Sequence, residues 1–108
     1  MANWEPEIQA EFERAFQARQ RDNEGQARVC ARRAAGIAVR EYLSRRGIRP
    51  ISTSAYDLLN LVKEDPHLSP GLKQIAEHLT VRVTEEFILP MKVDLVAEAK
   101  EFCDKLLE

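Results

Sequence analysis

Apolar residues along the chain recur every three or four positions and nowhere alternate, a periodicity that belongs to helices rather than strands. Near the start, Ile8, Phe12, Ala15 and Phe16 share one face at 3.6 residues per turn, which predicts an amphipathic helix over about 4–21. The turn chemistry of Asp22-Asn23-Glu24-Gly25 interrupts it, and a second, longer helix is predicted over about 25–46 with a stop at Gly47. After the loop IRPISTS, Ser54 followed by Asp57 forms a variant capping box, so a short third helix is predicted over 54–64. It carries Ala55, Leu58, Leu59 and Val62 inward and ends at Asp65-Pro66. Ser69-Pro70 places an N-cap before a proline at the first helical position. Behind it Leu72, Ile75, Ala76, Leu79, Val83 and Phe87 form a stripe, predicting a fourth helix over 70–88 that Pro90 closes. A fifth, over 91–107, carries Leu95, Val96, Ala99, Phe102, Cys103, Leu106 and Leu107.

Helices joined by short loops predict an all-α fold: an antiparallel up-and-down four-helix bundle with an additional short helix, in a single domain over 1–108. The second helix is unusual in its composition. At 100° per residue, Ala27, Ala31, Ala34 and Ala38 fall in one arc, with Cys30 and Tyr42 at its edges. The remaining circumference mixes Arg28, Arg32, Arg33 and Arg40 with Val29, Gly36, Val39 and Leu43. A helix that is apolar all round is touched on more than one side, and small residues let its neighbours come close. Val29, Gly36, Val39 and Leu43 are therefore candidate interface residues, facing either another helix of the chain or the same helix of a second copy across a twofold axis.

Composition narrows the class. At 108 residues with 44% hydrophobic and 31% charged side chains, the chain has the balance of a folded globular domain large enough to stand without disulfide or metal. No apolar run reaches the roughly 18 to 20 residues of a membrane span, and MANWEPEIQAEFERAF is acidic where a secretory signal is basic and then apolar. The expectation is a cytoplasmic protein without membrane association. Cys30 and Cys103 both fall on predicted apolar faces and read as buried free thiols.

Charge is divided unevenly. Residues 19–49 hold nine arginines against Asp22, Glu24 and Glu41, a balance of +6, whereas residues 50–108 balance at −5 and the first 18 at −3. Arginine's planar fork suits bidentate pairing with phosphate or carboxylate, so Arg28, Arg32, Arg33 and Arg40 are candidate anion- or nucleotide-binding residues, with Gly36 leaving a depression between them. The competing reading pairs these arginines with Glu24, Glu41 or the acidic last two helices, each exposed pair contributing roughly 0 to 1 kcal/mol. A net charge of −2 and the single aromatic Tyr42 in this block speak against a dedicated nucleic-acid binder.

The order of features, NEGQARVCARRAAGIAVREYLSRRGI, then SAYDLLNLV, a leucine-patterned helix, a proline break and EAKEFCDKLL, resembles the HEPN family of prokaryotic helical domains over nearly the whole chain. Ala35 to Gly47 stand where that family has an alanine-rich helix ending in a glycine turn, and Tyr56-Asp57-Leu58-Leu59 where it commonly has His-Asp-Leu. The resemblance implies a bundle that dimerises, with two ligand sites meeting at a cleft, and a toxin–antitoxin setting with a minimal nucleotidyltransferase as protein partner. Many members are RNases that use an arginine followed, after four to six residues, by a histidine. Here His67 has Asn60, Leu61 and Val62 at those distances, His78 has Gly71, Leu72 and Lys73, and Arg82 is followed by Phe87, Ile88 and Leu89. The motif is absent, so no catalytic residue carries over.

Other chemistries have less support. His78 beside Glu77 is half of an acid–base pair without a positioned partner. Glu85-Glu86 and the group Glu98, Glu101 and Asp104 lack the Glu-x-x-His pairs of dimetal bundles, so no metal and no cofactor are expected. The expected function is a non-catalytic HEPN-like module that forms a homodimer and binds a protein partner. The alternative is a nucleotide- or RNA-binding domain, a degenerate RNase, using the arginines of the second helix.

Overall fold

The computed structural model describes residues 4–81 and 93–108, and among them every regular element is a helix. In chain order these are α1 (Trp4–Gln20), α2 (Glu24–Arg45), α3 (Ala55–Lys63), α4 (Pro70–Thr80) and α5 (Leu95–Leu106). The starts are set by side chains that accept from orphan amides: Asn23 from Gln26, Ser54 from Asp57, Ser69 from Leu72, and Asp94 from both Val96 and Ala97. α2 ends in a turn that reaches Gly47 at φ +71°, the left-handed region that favours glycine, and the Ile48 amide closes back on the Leu43 carbonyl.

Two expected boundaries shift. The fourth helix, expected over 70–88, ends at Thr80, and Val81 is extended at ψ 132°. Side chains also bond to carbonyls of its last turn. The Thr80 hydroxyl donates to the Ala76 carbonyl at 3.1 Å and the Glu77 carbonyl at 3.0 Å, while Arg32 Nε donates to the Leu79 carbonyl at 2.6 Å. Val83 and Phe87 of the expected stripe lie outside the described residues. The last helix, expected from 91, begins at Leu95, because the Asp94 carboxylate caps it there and Val93 precedes it in non-helical backbone.

α2 is the central element, packed against α1, α3 and α5, while α4 rests on α3 and α5. Its alanines explain the close approach: Ala27, Ala31, Ala34, Ala35 and Ala38 are fully buried, facing a core that also contains Ala15 and Ala18 of α1 and Ala99 and Phe102 of α5. Arg19 at the end of α1 bonds Glu24 at the start of α2 and Asp94 at the start of α5. Arg45 at the end of α2 lies 5.5 Å from the Trp4 ring and donates to the Leu107 carbonyl at 3.4 Å. α1 thus runs antiparallel to both α2 and α5, which are parallel to each other. α1 and α5 are joined through α2 and make little contact of their own.

Candidate functional site

The four candidate arginines of α2 do not converge. Arg32 is drawn to the C-terminal end of α4, where its guanidinium takes the Leu79 carbonyl at the negative pole of that helix. Burial pushes its pKa down, opposed by the charge interaction with Tyr56. Arg40 turns the other way and pairs with Glu7 of α1 at 2.6 Å. Eight positions separate the two, about 12 Å along the helix axis. Arg28 is half-buried and helps hold Glu24 in its charged form, and Arg33 is exposed. Neither enters an ion pair within 4.0 Å among the described residues.

The depression expected at Gly36 is filled. A β-carbon there would lie 2.7 Å from the Ala55 β-carbon, so the start of α3 sits directly on the glycine. Val39 is fully buried and Leu43 is 5% exposed, both enclosed by the chain's own helices, while Val29 is half-buried.

Glu98, Glu101 and Asp104 of α5 do not act as a group. Glu98 meets His78 Nδ1 at 2.7 Å and joins α4 to α5, Glu101 pairs with Lys105, and Asp104 has no ion pair among the described residues. His78 therefore faces Glu98 rather than Glu77, which pairs with Lys63. No hydroxyl or thiol is bonded to this imidazole among the described residues, so it has no nucleophile to activate. Among them also, no three histidine, cysteine or acidic side chains converge as metal ligands.

Sequence reasoning missed two arrangements. The first is the contact of Tyr42 with Asp65: the phenol donates to the carboxylate at 2.5 Å, the His67 amide donates at 2.9 Å, and Arg46 stacks 4.4 Å over the ring. The phenol's hydrogen bond holds the Asp65 carboxyl below its ordinary range, and burial raises the Tyr42 phenol. These bonds tie the exit of α3 to the end of α2.

The second is a groove of about 500 Å³ between α1 and α5. One wall is the stripe Trp4, Ile8, Phe12 and Phe16, and the other is Cys103 and Leu107. Ile8 and Phe12 form the floor at 8% and 9% exposure, and Phe16 stands 46% exposed. Cys103 is a free thiol buried in this wall, its pKa pushed up to about 12 by desolvation, so it contributes packing rather than reactivity. The rim is charged: Glu5 and Glu13 on α1, Lys100 and Asp104 on α5. The signal was present in sequence, since the apolar face of the first helix extends from Ile8 through Phe12 to Phe16, broader than one neighbour covers.

No family model, no curated protein and no solved structure matches the chain. Among the described residues no helix is long and apolar enough to cross a membrane.

Proposed function

We propose that this protein is a non-catalytic, HEPN-like interaction module of the cytoplasm, an up-and-down four-helix bundle with α3 as the added short helix. In this reading it forms a homodimer and binds a protein partner, a minimal nucleotidyltransferase being the class the family resemblance implies. α1 runs antiparallel to α2 and to α5, as such a bundle requires, although α1 and α5 stand apart. One observation carries the reading. Arg32 and Arg40 are engaged with Leu79 and Glu7, whereas the accessible concavity between α1 and α5 combines an apolar floor with a mainly acidic rim and offers side chains to a protein rather than to a phosphate.

The alternative, a nucleotide- or RNA-binding domain, retains Arg28 and Arg33, which have no ion pair among the described residues. Titration of RNA and of nucleotides at low and moderate ionic strength separates the two. The module reading expects no affinity that depends on Arg28 and Arg33. A tight complex that weakens steeply with salt, and is lost on substituting Arg28 and Arg33 with alanine at unchanged melting temperature, overturns it. Solution mass tests the homodimer: about twice the 12.4 kDa of the chain is expected, and a mass of one chain removes self-association from the reading.

A further inference from the structure

The charges around the α1–α5 groove differ from those elsewhere on the same helices. On α1, Glu7 pairs with Arg40 and Glu11 with Arg14, both away from the groove rim. On α5, Glu98 pairs with His78 and Glu101 with Lys105. The four rim charges, Glu5, Glu13, Asp104 and Lys100, enter no ion pair among the described residues. Three unpaired carboxylates against one ammonium therefore border an apolar floor. Arg19 of α1 and Arg45 of α2 are already matched to acids, Arg19 to Glu24 and Asp94, and Arg45 to Glu41.

The dimensions suit a helix. From Trp4 to Phe16 the wall runs about 18 Å, a little over three helical turns. Its ridge repeats every four residues, and across from it Lys100, Cys103, Asp104 and Leu107 repeat at three and four, the spacing into which a helix sets its own anchors. The same charges argue against a second copy presenting its own α1. That helix carries Glu5, Glu7, Glu11 and Glu13 against Arg14 and Arg19, a balance of −2, so acidic rim would meet acidic rim.

We propose that the groove between α1 and α5 is a docking site for a basic amphipathic helix of another protein, its apolar face seated on Ile8, Phe12 and Phe16 and its lysines or arginines meeting Glu5, Glu13 and Asp104. This rests on the interaction-module reading and specifies the chemistry of the partner.

The test uses the full chain and two labelled synthetic helices of about sixteen residues, with leucine at the same i, i+4, i+7 and i+11 positions and either lysine or glutamate at the polar ones. The lysine peptide is expected to bind about tenfold more tightly than the glutamate peptide at moderate salt. Phe16→Ser, at an exposed position, is expected to weaken it by about tenfold through loss of an aromatic anchor, with the circular dichroism spectrum unchanged. The combined exchange E5K/E13K/D104K is expected to invert the preference, so the outcome does not hang on one variant. Equal binding of both peptides, indifference to Phe16→Ser, or a dimer that Phe16→Ser splits while neither peptide binds would each overturn the assignment. Any of these leaves the interaction module standing. RNA or nucleotide affinity through Arg28 and Arg33 removes the module itself.

Discussion

At Gly36 a β-carbon would lie 2.7 Å from the Ala55 β-carbon and 2.9 Å from its α-carbon, and backbone cannot swing aside as a flexible side chain can. Gly36→Ala is expected to destabilise the fold by about 1 to 3 kcal/mol, the usual range for forcing volume into a packed contact. Urea unfolding should show the midpoint falling at unchanged slope. Gly71, in the first turn of α4, is the control: nothing lies within 4 Å of its β-position, so Gly71→Ala is expected to be neutral or mildly stabilising. If both variants behave alike, close packing of α3 on α2 is not what Gly36 provides. Sequence indicated that Gly36 leaves room beside α2. That Ala55 takes the room depends on how the 46–54 loop brings the chain back, which local spacing does not encode.

At the scale of elements, the caps were largely legible. Ser54 and Ser69 were readable from the residues that follow them, since the cap and its amide lie three positions apart. Asp94 was not, although Asp-Leu-Val-Ala carries the same signal, because Pro90 marked an earlier start. It has two tasks, accepting from the Val96 and Ala97 amides at 3.1 Å and pairing with Arg19 at 3.0 Å. Arg19's hydrogen bonds hold both Asp94 and Glu24 below the ordinary carboxylate range. A carboxylate whose folded pKa is depressed stabilises fully above its unfolded pKa, and that stability is lost as pH falls through the folded value. Melting temperature is therefore expected to decline below about pH 4, and Arg19→Met should flatten the decline. These groups are more than a third exposed, so the difference at neutral pH should be about 1 kcal/mol or less. Asp94→Ala loses the cap as well and should cost about 1 kcal/mol more, whereas Asp94→Asn retains much of it. An acid limb identical in wild type and Arg19→Met would exclude this network.

For the molecule as a whole, α2 is enclosed by three helices while α1 leans on one, with its outer flank open to the groove. Native-state hydrogen exchange should follow that order, with the amides around Ala34 to Val39 slowest and those of α1 opening with a smaller free energy. Equal protection in α1 and α2 would mean that something covers the outer face of α1. Sequence alone determined that the chain is helical, where most helices begin, that α2 is lined with small buried residues, and that both cysteines face inward. Those are properties of neighbours three and four positions apart, which share a helical face whatever else the chain does. Tertiary structure decided that Arg40 meets Glu7 across 33 positions, that Arg32 bonds the Leu79 carbonyl at the end of α4 across 47, and that Arg19 reaches Asp94 across 75. It also left Glu5, Glu13 and Asp104 without an ion pair among the described residues, around an apolar floor. Which charges are neutralised and which remain for a partner depends on how separate helices are set side by side, and a one-dimensional pattern holds no distance between them.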